Sequence, residues 1–113
     1  MKKVEAYIKP HKLTDVTMAL RRIRGLSGAT VFDIRGWGRA RQQDDAEEHE
    51  QQVSEFEAHA AVVVFCPDAL APEVVAAIAR AARTGLRGDG KIYVLNVESA
   101  VRISTGERGE AAV

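Results

Sequence analysis

Residues 84–93 are TGLRGDGKIY, and they join a predicted helix to a predicted strand. The glycines Gly85, Gly88 and Gly90 lie close together, and Lys91 follows the last of them. Glycine permits positive φ angles and a close backbone approach to a ligand. Exposed backbone N–H groups can form an anion-binding nest, to which Lys91 adds a positive charge. The stretch therefore predicts a phosphate site, with a plain turn as the alternative. It is not a Walker A loop, because it lacks the GxxxxGK[ST] spacing and precedes a strand.

Strands and helices alternate along the rest of the chain. Apolar and polar residues alternate in residues 3–9, which is typical of a strand. Each helix has apolar residues at spacings of three and four after a capping residue, Thr14 for the first and Asp68 for the second. The predicted strands are 3–9, 30–35, 58–65 and 92–97, with a short extra strand at 101–103. The predicted helices run from Thr14 to about Gly25 and over 72–83.

This order of elements predicts the fold class. The chain repeats β-α-β twice, with a long loop between the repeats. Split β-α-β units of this kind build an α+β, ferredoxin-like βαββαβ sandwich, a four-stranded antiparallel sheet with two helices on one face. The other face of the sheet needs a cover in so small a chain, so we expect a homo-oligomer.

The loop between strands 2 and 3 has an unusual composition. Residues 39–57 contain all four glutamines of the chain and seven acids. Loops of this length in compact domains are usually functional. We expect a single domain over 1–113, with a loop excursion at about 38–57 and a polar C-terminal tail at about 104–113.

Composition excludes several classes of protein. Sixteen basic and sixteen acidic side chains balance to a net charge of zero, which argues against a general nucleic-acid binder. The single cysteine, Cys66, has no internal disulfide partner and fits a reducing compartment. No stretch resembles a signal peptide or reaches the roughly 18–20 apolar residues that span a bilayer. We therefore expect a cytoplasmic protein without direct membrane insertion.

Four ordered segments carry a resemblance to a known family. They are MKKVEAYIKPHKL at 1–13, GWGR at 36–39, TGLRGDGKIY at 84–93 and VRISTGER at 101–108. These segments resemble, in order, the opening strand, the start of the T-loop, the B-loop and the C-terminal segment of the PII signal-transduction family. The long loop corresponds to the T-loop.

The resemblance implies a homotrimer that binds an adenine nucleotide in each of three clefts between subunits. ADP and AMP are the expected ligands, with ATP and bicarbonate as further candidates, and no cofactor is permanently bound. The implied nucleotide-binding residues are Gly28, Ala29, Thr30, Gly36, Trp37, Gly38, Arg39, Phe65, Gly88, Asp89, Gly90, Lys91 and Arg102. Arg41 and Ser104 are candidates for a second anion.

The chain also departs from the family pattern. Ser104 replaces a phosphate-binding arginine, and Ala40 replaces a glutamine that helps to hold Mg²⁺ and 2-oxoglutarate. His59 and Ala61 replace two lysines after the loop. Gln52 lies where many bacterial members carry the tyrosine that is uridylylated. The departures imply that 2-oxoglutarate sensing and uridylylation are lost.

The expected function is a non-enzymatic regulator that controls a target protein, a membrane transporter or an enzyme, through residues 39–57. One alternative is a bicarbonate-responsive adenylate sensor linked to inorganic-carbon metabolism. A second is a metal-binding trimer similar to the CutA family, with His49 as a candidate ligand, although we expect no metal. A third is a slow nucleotide hydrolase, for which Glu107 and Glu110 are candidates only by default. No catalytic residue is predicted.

Overall fold

The computed structural model describes residues 1–38 and 56–113. Within them, four strands and two α-helices follow one another in the predicted order. Their bounds are β1 Lys2–Ile8, α1 Leu13–Arg21, β2 Thr30–Gly36, β3 Glu57–Cys66, α2 Ala71–Ala82 and β4 Gly90–Asn96. Short 3₁₀ turns at Pro10–Lys12 and Asp68–Leu70 lead into α1 and α2.

The sheet has the strand order β2-β3-β1-β4, and every neighbouring pair is antiparallel. The central strand β1 pairs Ile8 with Ala60 of β3 and with Gly90 of β4. Helix α1 lies in the connection from β1 to β2, and α2 lies in the connection from β3 to β4. Both helices pack on one face of the sheet. The predicted ferredoxin-like βαββαβ fold is confirmed.

The core lies between the sheet and the two helices. Alternate residues of β1 and β3 point toward the helices, because successive side chains of a strand point to opposite faces. The core side chains that are essentially inaccessible to solvent are Val4, Ile8, Val16, Val62, Val64, Val74 and Ile78. Burial of each stabilises the fold by about 1.5–3 kcal/mol relative to exposure. Cys66 belongs to the same core, and burial raises the pKa of its thiol.

Both predicted helix caps were wrong. Helix α1 already includes Thr14, with Lys12 at the N-cap position and no side-chain cap. Asp68 begins a 3₁₀ turn ahead of α2, and its carboxylate accepts a hydrogen bond from the N-terminal ammonium group at 2.7 Å. That hydrogen bond holds the pKa of Asp68 below its usual value. The N-cap position of α2 is Leu70, two residues after Asp68, so Asp68 does not cap α2.

The second face of the sheet, turned away from the helices, carries large apolar side chains in the open. By register this face holds Phe32, Phe65, Tyr93 and Leu95, each between 44% and 53% exposed. Tyr7 lies among them, with its ring centroid 5.9 Å from that of Tyr93. The Tyr7 hydroxyl donates to Glu5 at 2.8 Å, which lowers the pKa of Glu5 and raises that of Tyr7. We call this surface the open face.

The C-terminal segment forms a small hairpin beyond β4. Val101 and Arg108 form an isolated β-bridge, and the Arg102 N–H donates to the Glu107 carbonyl at 2.9 Å. The predicted extra strand at 101–103 is thus reduced to one bridge. Ile103 at the turn of the hairpin is fully exposed. A 3₁₀ helix, Gly109–Ala112, ends the chain.

In residues 1–38 and 56–113, no helix is both long enough and apolar enough to cross a bilayer. The same residues contain no group of three or more His, Cys, Asp or Glu side chains that could hold a metal ion.

Candidate functional site

The loop between α2 and β4, residues 83–89, has the backbone that its glycines predict. Gly85, Gly88 and the adjoining Gly90 have φ angles of 81°, 79° and 104°. These values lie in the left-handed region that side chains other than glycine rarely adopt. Three positive φ angles in six residues turn the chain sharply from the end of α2 into β4. We call residues 83–89 the glycine loop.

Gly90 presses the end of the glycine loop against β1. A Cβ atom at Gly90 would lie 1.7 Å from the carbonyl oxygen of Tyr7 and 2.8 Å from its carbonyl carbon. Only glycine lets the backbone approach this closely while Gly90 pairs with Ile8. The position of the loop therefore depends on the end of β1.

Asp89 organises the loop from within. Its Oδ2 accepts hydrogen bonds from the backbone N–H of Thr84 at 2.9 Å and of Gly85 at 3.2 Å. Its Oδ1 accepts from the Thr84 hydroxyl and lies 3.2 Å from the Lys9 ammonium group. The Thr84 contacts, with support from Lys9 and Gly85, hold the pKa of Asp89 far below its usual value. The carboxylate stays ionised and stabilises the turn.

A cleft of about 290 Å³ opens beside the loop, between α2 and β4. The apolar residues Ile8, Ile78 and Ile92 line the cleft, and Lys91 also contributes to its lining. Lys91 is exposed and, by its pairing with Tyr7, belongs to the open face. It forms no ion pair with any other residue in the described part of the chain.

The predicted residues Gly36, Trp37 and Gly38 lie at the same end of the sheet as the glycine loop. Gly36 ends β2 and pairs with Glu57 at the start of β3. Since β2 and β4 are opposite edges, three strand positions apart, roughly 14 Å separates the two predicted site regions. Trp37 is 60% exposed just beyond β2. Arg39 and Arg41 lie outside the described residues, as do Ala40, His49 and Gln52.

The remaining predicted residues lie toward the other end of the sheet. Phe65 pairs with Lys3, five residues along β1 from Ile8 and hence about 17 Å from the level of Gly90. Thr30, which Gly28 and Ala29 precede, pairs with Val63 between these two levels. Arg102 and Ser104 lie in the hairpin that follows the far end of β4. One chain therefore divides the predicted site between the two ends of its sheet.

Two residues of the glycine-loop network, Lys9 and Thr84, were not among the predicted site residues. Both stood inside quoted sequence motifs, but no spacing rule joins residues 75 positions apart. The available signal was the antiparallel pairing of β1 with β4. That pairing places the residue after Ile8 next to the residue before Gly90, so Lys9 meets Asp89.

Comparison with known proteins now defines the class and the family. The family model described as Nitrogen regulatory protein P-II matches residues 1–107. The chain is 42% identical to Nitrogen regulatory protein P-II of Haemophilus influenzae and 43% identical to that of Rhodospirillum rubrum, in each case over 113 residues and the full length of both chains. It is 38% identical to Nitrogen regulatory protein P-II 1 of Escherichia coli K12, again over both full lengths.

The fold agrees with a solved structure of the same family. The crystal structure of Arabidopsis thaliana PII bound to citrate superposes with a TM-score of 0.80 and 37% sequence identity, covering 99% of this chain and 91% of that one. The sheet, the glycine loop and these matches define a signalling protein. The chain belongs to the P-II family of nitrogen regulatory proteins.

Proposed function

We propose that this protein is a non-enzymatic regulator that assembles as a homotrimer and binds adenine nucleotides in clefts between subunits. ADP and AMP are the proposed ligands, with ATP bound more weakly. Nucleotide binding changes the state of residues 39–57, which then contact a target protein, a transporter or an enzyme. Such coupling requires that the nucleotide bind the two loop states with different affinity.

The observation that carries this proposal is the division of the candidate site within one chain. The glycine loop and Lys91 lie at one end of the sheet, whereas Phe65 and the Arg102 hairpin lie at or beyond the other. About 17 Å along the strands is too far for one loop to close. A second copy that supplies its far end completes a cleft around the glycine loop.

The exposed apolar surface supports assembly of copies. The open face exposes Phe32, Phe65, Tyr93 and Leu95, with the Lys3–Glu5 ion pair of β1 among them, and large exposed apolar side chains on one face commonly mark interfaces. Ile103 has no contact with its own core and is fully exposed on the hairpin. A neighbouring subunit would cover both surfaces. Because the two contacting ends differ, the contact between copies is heterologous, and the proposed trimer is the case in which such contacts close into a ring.

The charges of the site suit a short polyphosphate. Lys91 and Arg102 form no ion pairs within the described part of the chain, so both are available to an anion. An arginine can grip phosphate oxygens with two parallel hydrogen bonds. Ser104 lacks a charge, so the outermost phosphate of ATP has a weaker partner than the phosphates of ADP.

We also propose that this protein has lost 2-oxoglutarate sensing and uridylylation. Ala40 has no ligand atom for Mg²⁺, and Gln52 offers no phenol for uridylylation. Ala61 is 3% exposed and uncharged, and the His59 Nδ1 atom faces its neighbouring Glu57 carbonyl at 3.3 Å. Neither replaces a lysine as a carboxylate ligand.

Calorimetric titration with ATP, ADP and AMP tests the proposed ligands, with bicarbonate or 2-oxoglutarate as a second additive in separate runs. We expect saturable binding of ADP and AMP that 2-oxoglutarate leaves unchanged. ADP binding that bicarbonate strengthens would favour the adenylate sensor linked to inorganic carbon. Mg-ATP binding that 2-oxoglutarate strengthens would contradict the proposed loss. Sustained ATP hydrolysis that Lys91→Ala abolishes would contradict a purely regulatory role.

A mixing experiment tests whether each cleft is shared. Lys91→Ala and Arg102→Ala should each lose ADP binding alone. If the two residues come from different subunits, co-expressed variants restore about one cleft in four, in which an intact Lys91 meets an intact Arg102. Separately purified variants that are combined without subunit exchange are the control. No recovery in the co-expressed sample would place both residues in one chain's site.

A further inference from the structure

The Lys9 side chain links the end of β1 to the glycine loop. Its ammonium nitrogen lies 3.2 Å from the Asp89 Oδ1 atom and 3.2 Å from the Thr84 hydroxyl, to which it donates a hydrogen bond. The side chains of Lys9 and Asp89 are only 20% and 26% exposed. The ion pair is thus partly shielded from water. Coulomb attraction in such a shielded position is stronger than at an open surface.

The aliphatic part of Lys9 runs alongside the loop. Its Cε atom lies 3.8 Å from the position of a Cβ atom built on Gly88. An added methyl group would thus be in ordinary van der Waals contact with the lysine, so the Lys9 side chain runs beside Gly88 without touching its backbone closely. Lys9 follows Ile8, which pairs with Gly90 in the sheet. The base of the lysine is therefore fixed by the same strand that the loop joins.

Asp89 poses an electrostatic problem for an anion site. Its carboxylate lies between two glycines of a loop proposed to hold phosphates, and like charges at short distance repel. The structure shows this carboxylate fully engaged by Thr84, Gly85 and Lys9. Of these groups, only Lys9 carries a compensating positive charge.

We propose that Lys9 is a positioning residue for the phosphate-binding loop. It neutralises Asp89 and holds the carboxylate inside the turn, so that the loop already has its binding shape before any nucleotide arrives. Lys9 acts through Asp89 and is not itself a phosphate ligand. This inference rests on the proposed nucleotide site, and its tests separate the shape of the loop from nucleotide binding.

Amide hydrogen exchange in the nucleotide-free protein reads the shape of the loop. Lys9→Met keeps the aliphatic chain and removes the ammonium group. We expect the Thr84 and Gly85 amides, which donate to Asp89, to exchange about tenfold faster in this variant. Lys9→Arg, which keeps the charge, should stay close to wild type. Unchanged exchange in Lys9→Met would overturn the proposal.

Lys12→Met is the matched control. Lys12 lies three residues from Lys9, is 25% exposed and pairs with Asp15 at 3.5 Å; within residues 1–38 and 56–113 its side chain forms no ion pair with the glycine loop. The Lys12→Met substitution removes the same charge from the same part of the surface as Lys9→Met. We expect loop exchange and ADP affinity of the wild-type level in this variant.

A double-mutant cycle distinguishes positioning from direct contact. We expect Lys9→Met to weaken ADP binding about tenfold, the scale of one charged hydrogen bond. In an Asp89→Asn background, where no charge needs neutralising, the same substitution should change ADP affinity less than about twofold. An equal loss in both backgrounds would overturn the proposal, because Lys9 would then contact the nucleotide itself.

The two hypotheses fail differently. Absence of ADP, AMP and ATP binding in the wild type, with faster loop exchange in Lys9→Met, would overturn the proposed function and leave Lys9 as the residue that shapes this loop. Normal ADP binding together with unchanged exchange in Lys9→Met would overturn the role of Lys9 and leave the proposed function standing.

Discussion

Gly90 lies where the glycine loop meets β1 and has no room for a side chain. A methyl group there would overlap the Tyr7 carbonyl, since the Cβ position is 1.7 Å from its oxygen. We predict that Gly90→Ala lowers the free energy of unfolding by about 3 kcal/mol through this overlap and the strained φ angle. Urea denaturation monitored by circular dichroism measures the change.

Gly85→Ala separates the two causes at Gly90. Gly85 has a positive φ angle of 81°, but no atom lies within 4 Å of its Cβ position. We predict a cost of about 1–2 kcal/mol, the value for a left-handed non-glycine residue. Equal losses in Gly85→Ala and Gly90→Ala would show that the close approach to Tyr7 adds nothing to stability.

Asp89 links the stability of the protein to pH. Its pKa in the folded protein lies below the value of about 3.9 expected in the unfolded chain, so the unfolded state binds the proton more readily. The contribution of Asp89 to stability is complete above that unfolded value and is lost as pH falls toward the folded pKa. We predict that wild type loses its stability advantage over Asp89→Asn between about pH 5 and pH 2. A difference in urea midpoint between wild type and Asp89→Asn that stays constant over this pH range would contradict the prediction.

Single residues of the candidate site were predictable only where a motif contains them. Asp89, Gly90 and Lys91 stand in one recognisable stretch, and the positive φ angles followed from its glycines. The Lys9–Asp89 pair joins residues 80 positions apart in sequence. It exists because β1 and β4 are neighbours in the sheet, a fact of tertiary structure that local composition does not contain.

At the scale of elements, α2 contributes one of the largest buried side chains of the helix–sheet core. Ile78 is completely buried against the sheet and also floors the cleft beside the glycine loop. We predict that Ile78→Ala lowers the free energy of unfolding by about 2–5 kcal/mol, because it removes buried methyl groups and leaves a cavity. Unfolding must be compared at equal protein concentration if the chains associate.

Met18→Ala is the control for the Ile78 substitution. Met18 is also helical, but it is 49% exposed, in the open groove between α1 and α2. We expect a change within about 0.5 kcal/mol, as for most surface substitutions. If Met18→Ala lowered the free energy of unfolding as much as Ile78→Ala, the large effect at Ile78 could not be attributed to its burial.

The elements themselves were largely predictable, and their ends were not. Alternating and continuous apolar runs predicted the order of the strands, and each of the four main predicted strands overlaps an observed one, whereas the extra strand at 101–103 is only one bridge. The caps failed because a 3₁₀ turn precedes each helix and moves the N-cap position: Leu70 occupies it in α2, and Asp68 lies within the turn and binds the N-terminal ammonium group. Helix α1 begins one residue before Thr14, directly out of the 3₁₀ turn that Pro10 starts.

At the scale of the whole molecule, the open face is the surface that a second copy would cover. Phe32 lies on it and is 53% exposed in one chain. We predict that Phe32→Asp converts a trimer of three 12.3 kDa chains into monomers, because the interface would bury an unpaired charge. Light scattering after gel filtration measures the mass. Met18→Asp, a substitution of similar exposure on the helical side, should leave the trimer intact, and its dissociation would contradict the assignment of the interface.

The sequence supplied a list of candidate site residues but not their arrangement in space. The resemblance to the family implied which residues would surround a nucleotide. Their division between the two ends of one sheet became visible only from strand registry, where Phe65 and Gly90 fall five residues apart along β1. A sequence lists such residues together, whereas the fold separates them.

That separation has a genetic consequence if the chains assemble as proposed. Each cleft would be encoded by two different stretches of two different polypeptides. A copy with a mutated Arg102 hairpin would inactivate the cleft that it shares with the glycine loop of an intact neighbour. Its own glycine loop would still form a functional cleft with the intact hairpin of the other neighbouring subunit. In a cell with two alleles, a defect confined to one end of the sheet would therefore be partly dominant, and defects at opposite ends would complement each other.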